Sequence, residues 1–142
     1  MLQQNEEGTV HKNGKVRTIL VVEDNPEVLK VINRVLDTYC FRVLVAQTAR
    51  EAKKILLAAD RPVHLLISDV VLPDGNGPAL AKEFAEKFPG SAILLMTGWI
   101  TSPIVDSLTE ETQNSLLRKP FSPQTLLDRV VELINGTGTT AI

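Results

Sequence analysis

Residues His64–Phe84 read HLLISDVVLPDGNGPALAKEF. His64–Ser68 is a short continuous apolar run, as a strand buried on both faces would be. Asp69–Gly77 is dense in turn residues, and Asp74 before Gly75 reads as turn chemistry. Gly77-Pro78 then opens a helical pattern, with Leu80, Ala81, Phe84, Ala85 and Phe88 as its predicted inner face, and Phe88-Pro89-Gly90 stops it. Strand, polar turn and helix together form the repeating unit of a parallel α/β sheet, and here an acid, Asp69, stands at the carboxyl end of the strand.

Reading toward the amino end, the same unit occurs twice more. Thr18–Val22 (TILVV) is a β-branched run followed by Glu23-Asp24, then Asn25-Pro26 as N-cap and first helical residue. Val28, Val31, Ile32, Val35, Leu36 and Tyr39 form the predicted inner face of that helix. Phe41–Ala46 is a second strand. Thr48–Glu51 is a capping box opening a helix with Ala52, Ile55, Leu56 and Ala59 inward, ended by Asp60-Arg61-Pro62.

Toward the carboxyl end, Ala92–Met96 is a fourth strand followed by Thr97. Ser102-Pro103 opens a fourth helix whose apolar face is only Ile104, Val105 and Leu108, so it is expected to be the least stable element. Ser115–Arg118 is a short fifth strand followed by Lys119. Ser122-Pro123 caps a last helix with Leu126, Leu127, Val130, Val131 and Ile134 inward, ended by Asn135-Gly136. The fold class is therefore α/β, a (βα)₅ doubly wound domain in three layers. Residues 18–135 form the domain, 1–17 read as a flexible tail or linker, and 136–142 as a fraying carboxyl tail.

The bulk composition agrees. At 142 residues the chain is one domain's length, with 44% apolar and 23% charged residues. A net charge of −2 offers no attraction to nucleic acid or anionic membrane. No apolar stretch approaches the roughly 18 residues that span a bilayer, and residues 1–17 lack the apolar core of a signal peptide. The single cysteine, Cys40, cannot form an internal disulfide, which suits a cytoplasmic protein; it is expected to pack between the first helix and second strand. His64 reads as a strand-edge residue, not a catalyst.

In a parallel sheet the strand carboxyl ends share one edge, where ligands bind. Glu23, Asp24, Asp69, Thr97 and Lys119 all occupy such ends. Aspartate can attack phosphorus to form an acyl phosphate. Clustered carboxylates favour a cation, and Mg²⁺ takes hard oxygen ligands, usually one or two of them carboxylates. A lysine and a hydroxyl can stabilise charge on phosphoryl oxygens. Taken singly, each residue has an ordinary reading as a helix-dipole acid, a turn residue, a strand end or a surface lysine. The functional reading rests on their joint occurrence.

At these residues the sequence resembles the receiver domain of two-component response regulators, over about Thr18 to Ile134. The resemblance is carried by VVEDNP (Val21–Pro26), ISDVVLPDGNG (Ile67–Gly77), LLMTGW (Leu94–Trp99) and LRKPFSP (Leu117–Pro123), in the family's order. The segment KPFSPQTLLDRV looks most like receivers of hybrid histidine kinases. The resemblance implies a flavodoxin-like sheet of strand order 2-1-3-4-5. It implies Asp69 as phospho-acceptor, with Thr97 and Lys119 binding the phosphoryl group. It implies Mg²⁺ held by Asp24 directly, by Glu23 mainly through water, and by Asp69 and the Val71 main-chain carbonyl. Lys119-Pro120 would be cis. The implied partners are a histidine kinase or phosphotransfer domain and a downstream effector, with no direct nucleic-acid or membrane contact. The module would assist its own phosphorylation and turn over no external metabolite. A pseudo-receiver that only binds proteins, and a Mg²⁺ phosphohydrolase of the haloacid dehalogenase type, are the alternatives. The second expects an early DxD motif, whereas here Glu23-Asp24 are adjacent. Neither GxxxxGK[ST] nor GxGxxG occurs.

Two departures bear on switching and lifetime. Leu116 stands where many receivers carry an aromatic residue that reports phosphorylation, so the relay to the output face is altered. Val71 and Trp99 occupy the positions that flank the phosphoryl group, and neither side chain is suited to orienting an attacking water. A long-lived aspartyl phosphate is therefore expected, and Val71→Asn should release phosphate faster than the wild type. Loss from both proteins within seconds, at equal rates, would refute this.

Overall fold

The computed structural model describes residues 16–98 and 115–136. The predicted fourth helix and Trp99 lie outside them. The strands are β1 (Thr18–Val22), β2 (Arg42–Ala46), β3 (Leu65–Asp69), β4 (Val71–Leu72), β5 (Gly75–Asn76), β6 (Ala92–Thr97) and β7 (Leu116–Arg118). The helices are α1 (Pro26–Thr38), α2 (Ala49–Ala58), α3 (Gly77–Lys87) and α4 (Pro123–Gly136). Five strands make one sheet in the order β2-β1-β3-β6-β7, with every pairing parallel. That is the expected 2-1-3-4-5 order of the five long-range strands.

Alternation along the strands builds the three layers. Ile19, Val21, Leu65, Ile67, Leu94 and Met96 face one side and pack with Leu29, Ile32 and Leu36 of α1 and Leu126, Leu127, Val130 and Ile134 of α4. Leu20, Val22 and Leu66 face the other side and pack with Ala52 and Leu56 of α2 and Leu80 and Phe84 of α3. A strand sandwiched this way has no solvated face, which is why β1 is buried at all five positions and carries no polar alternation.

Local signals set the helix starts. Asn25 Oδ1 accepts from the amides of Glu27 (2.9 Å) and Val28 (3.3 Å). Thr48 Oγ1 accepts from Glu51 N (3.1 Å), and Asn76 Oδ1 from Ala79 N (2.8 Å). Ser122 Oγ accepts from Thr125 N (3.0 Å). Each satisfies a first-turn donor that has no partner within the helix. Lys119-Pro120 is cis, as the resemblance implied. Cys40 sits half-buried after α1 at φ 67°, in the left-handed position that terminates the helix, with Phe41 N donating to Leu36 O (3.2 Å).

Three expectations are corrected. The buried stripe of α1 is Leu29, Ile32 and Leu36, with Val28 and Val35 at its margin, whereas Val31 and Tyr39 are exposed. The apolar surface of α1 is wider than the sheet it covers, and its far side is left in solvent. Ala85 is likewise exposed. The turn after Asp69 is not irregular: Val71 pairs with Asn76 and Leu72 with Gly75 as a small antiparallel hairpin, seated by the buried Leu72. His64 accepts from Thr18 N at Nδ1 (2.9 Å) at the amino edge of β3, the end opposite Asp69. Burial and the neighbouring Arg17 charge hold its imidazole below the usual range, as expected of a structural residue. No helix among the described residues is long and apolar enough to cross a membrane.

Phe84 is fully buried between α3 and the sheet. Phe84→Ala should cost about 3–5 kcal/mol of unfolding free energy, read by urea denaturation. A loss below about 1 kcal/mol would mean that the α2–α3 side of the core is not packed as described.

Candidate functional site

Parallel pairing brings the carboxyl ends of β1, β3, β6 and β7 to one edge. Glu23 N donates to Ala46 O (3.0 Å), extending the ladder one residue beyond β1 and fixing the start of the acid pair. The Glu23 side chain is fully buried, and its Oε2 accepts from Asn25 N (2.9 Å). Asp24, one residue on, is exposed. Asp69 ends β3 and is buried, with its chain held by Val70 N donating to Met96 O (2.8 Å) and Gly77 N donating to Val70 O (2.8 Å). Lys119 follows β7, and its amide donates to Thr97 O (2.9 Å), which ties the lysine to the end of β6. Thr97 is buried there.

Lys119 Nζ lies 2.7 Å from Glu23 Oε1 and 2.7 Å from Asp69 Oδ1. One ammonium thus bridges two carboxylates at the ends of different strands. Asp69 Oδ2 is buried without a hydrogen-bond partner. Burial pushes the Asp69 carboxyl up to about 7; Lys119 opposes the rise and Glu23 adds to it. For Lys119, burial works against the charge, but hydrogen bonds and attraction to Asp69 and Glu23 prevail and hold the ammonium above its usual range. Glu23, Asp24 and Asp69 each offer an oxygen, all within 4.8 Å of one another. An oxygen-only donor set with an orphaned buried carboxylate oxygen fits a hard divalent cation such as Mg²⁺.

The structure thus brings Glu23, Asp24, Asp69, Thr97 and Lys119 to one edge. The bond from Lys119 to Glu23, beyond its expected pair with Asp69, was not legible in the sequence. Val71, in β4, is exposed two residues after Asp69. Leu116 is half-buried beside Val70 and Leu95, and its carbonyl accepts from Arg129 Nη1 (3.2 Å). Trp99 is outside the described residues.

Two further residues shape the site. Gly77 is required by close approach: a Cβ there would meet Asp69 O at 2.3 Å. Asp74 does more than turn the chain. Its Oδ1 accepts from Ala49 N (2.8 Å) and its Oδ2 from Arg50 N (3.0 Å), at the start of α2. The Ala49 amide, foremost among its partners, holds the Asp74 carboxyl below the usual range. Nothing local signals a contact that spans 25 positions. An open groove of about 450 Å³, lined by Glu27, Val28, Val31, Ile32, Lys119, Pro120 and Phe121, includes the exposed Val31 of α1.

Comparison with known proteins places this geometry. The family model described as the response regulator receiver domain matches residues 19–131. The hydrogenase transcriptional regulatory protein HoxA of Cupriavidus necator is 30% identical over 125 residues, 87% of this chain and 25% of that protein. The sensor histidine kinase TmoS of Ectopseudomonas mendocina is 32% identical over 119 residues, 82% of this chain and 12% of that protein. The solved receiver domain of the hybrid histidine kinase CckA superposes with a TM-score of 0.68 at 31% identity, covering 82% of this chain and 98% of that one. This chain spans a quarter or less of the length of those two curated relatives.

The raised carboxyl of Asp69 makes a signed pH prediction. In the folded state it binds a proton between pH 3.8 and about 7 that the unfolded chain has released. Its contribution to stability is therefore present at low pH and lost as pH rises through that window. Without divalent metal, Asp69→Asn should unfold at a higher temperature than the wild type at pH 8, with the gap shrinking toward pH 4. A gap that stays constant with pH would show that Asp69 is not a strained anion.

Proposed function

The chain belongs to the response regulator receiver domain family, and from that premise we propose that Asp69 accepts a phosphoryl group from a phosphohistidine with the help of Mg²⁺. The donor is a histidine kinase or a phosphotransfer domain, and the phosphorylated domain signals to an effector. The observation that carries this reading is the Lys119 bridge: one ammonium 2.7 Å from both Glu23 and Asp69, with Asp69 Oδ2 left buried and unpartnered.

In the transfer, an Asp69 carboxylate oxygen attacks phosphorus as the phosphorus–nitrogen bond to the donor imidazole breaks, and the imidazole keeps that electron pair. Lys119 already lies against Asp69 Oδ1 and is placed to follow the charge onto a phosphoryl oxygen. The Thr97 hydroxyl, at the end of β6, donates to another. Asp24 and Asp69 would hold Mg²⁺ directly with the Val71 main-chain carbonyl, and Glu23, committed to Lys119 and Asn25, would act through water. The ion supplies charge neutralisation between the acceptor and the incoming phosphoryl group. The domain is a signalling module with a single covalent event and no external substrate to turn over.

Incubation with Mg²⁺ and a small phosphodonor, or with a phosphorylated histidine kinase, should add one phosphate to Asp69 by mass spectrometry. Asp69→Ala should abolish the adduct, and Lys119→Ala should slow its formation by about 10²-fold or more, as for loss of one charge-stabilising group in a transfer site. An intact protein that acquires no phosphate from any donor would instead be a protein-binding pseudo-receiver. Steady turnover of a phosphomonoester would make it a phosphohydrolase.

A further inference from the structure

The segment between Asp69 and Gly77 is anchored at three places. Its base is tied by the Val70–Met96 and Gly77–Val70 backbone bonds. Its middle is seated by the buried side chain of Leu72. Its tip is held by Asp74, whose two carboxylate oxygens take the first two amides of α2. Gly75 lies against the same helix end, where an added Cβ would sit 3.5 Å from Ala49 Cβ.

We propose that Asp74 is a positioning residue for the metal site, holding the β4–β5 hairpin so that the Val71 carbonyl is fixed in place to ligate Mg²⁺. This rests on the Mg²⁺ reading above. The strands of the hairpin are two residues each, and so short a ribbon has little stability of its own. Helix α2 does not need Asp74 in order to begin. Thr48 Oγ1 accepts from Glu51 N, and Glu51 Oε1 accepts from Gln47 N (2.8 Å), so the local cap is already formed. What the Asp74 carboxylate adds is a tie between two elements: the turn beside the acceptor, and a helix packed on the sheet. Mg²⁺ demands near-ideal octahedral geometry, so freedom in a carbonyl ligand is paid as lost affinity. Groups that only orient ligands commonly change metal affinity by 10- to 100-fold.

The test measures Mg²⁺ affinity by calorimetric titration of the full chain, beside thermal unfolding without metal. Asp74→Ala should weaken Mg²⁺ binding by about tenfold, the low end for ligand-orienting groups. Asp74→Asn should fall between it and the wild type, because its single oxygen accepts from one amide. Thr48→Ala removes the local cap of the same helix without touching the hairpin. It should lower the unfolding temperature and leave Mg²⁺ affinity unchanged. Wild-type affinity in both Asp74 variants would overturn the inference while leaving the metal site standing. Equal weakening by Thr48→Ala would also overturn it, since the effect would then be loss of stability alone. A wild-type protein that binds no Mg²⁺ would remove the metal reading itself. Should Asp74→Ala fail to fold, the Asp74→Asn titration decides.

Discussion

Lys119 Nζ stands between two carboxylates that the sheet forces together. Glu23 and Asp69 are buried at the ends of neighbouring strands, and neither can be moved apart without breaking the β1–β3 register. Two buried anions so close are tolerable only with a cation in contact, because the interior offers little solvent to screen them. The ammonium at 2.7 Å from each provides it, and the hydrogen bond from the Lys119 backbone N–H to Thr97 O holds the lysine at the end of β6. The compensation is incomplete. Asp69 retains a bare oxygen and a carboxyl raised to about 7, so the site stores a demand for further positive charge. That unmet demand is what makes the edge suited to a hard divalent cation.

The backbone around Asp69 is correspondingly rigid. Gly77 passes so near Asp69 O that no side chain fits, Val70 is bonded on both its amide and its carbonyl, and Leu72 is inserted among side chains of α2 and α3. Asp74 extends this frame outward to α2. Asp69 is thus set in a frame reaching from the sheet to the helix layer, while Asp24 and Val71 remain exposed beside it. Family membership follows from the match over residues 19–131. The phosphoryl chemistry is the function this charge arrangement supports.

Legibility in the sequence followed the range of the interaction. Asn25, Thr48 and Ser122 bond to amides two or three positions away, so their caps were readable as motifs. The strands were readable because burial on both faces removes polar alternation. Val31 of α1 is apolar yet lines an open groove; periodicity cannot say how much of a wide apolar stripe the sheet will cover. The hairpin after Asp69 was hidden among breaker residues, because its pairing is seated by Leu72 against elements distant in the chain.

By itself the sequence determined the order of strands and helices, the parallel α/β class, and which polar residues stand at strand ends, since these depend on hydrophobic period and local capping. It also determined the composition of the site, because a parallel sheet collects strand ends on one edge whatever the details of packing. Only the tertiary structure decided how those residues divide their bonds: Lys119 shared between Glu23 and Asp69, Asp69 Oδ2 left unsatisfied, and Asp74 spent on α2. Those choices turn on distances of a few ångströms between segments 24 to 96 positions apart, and no local pattern encodes them.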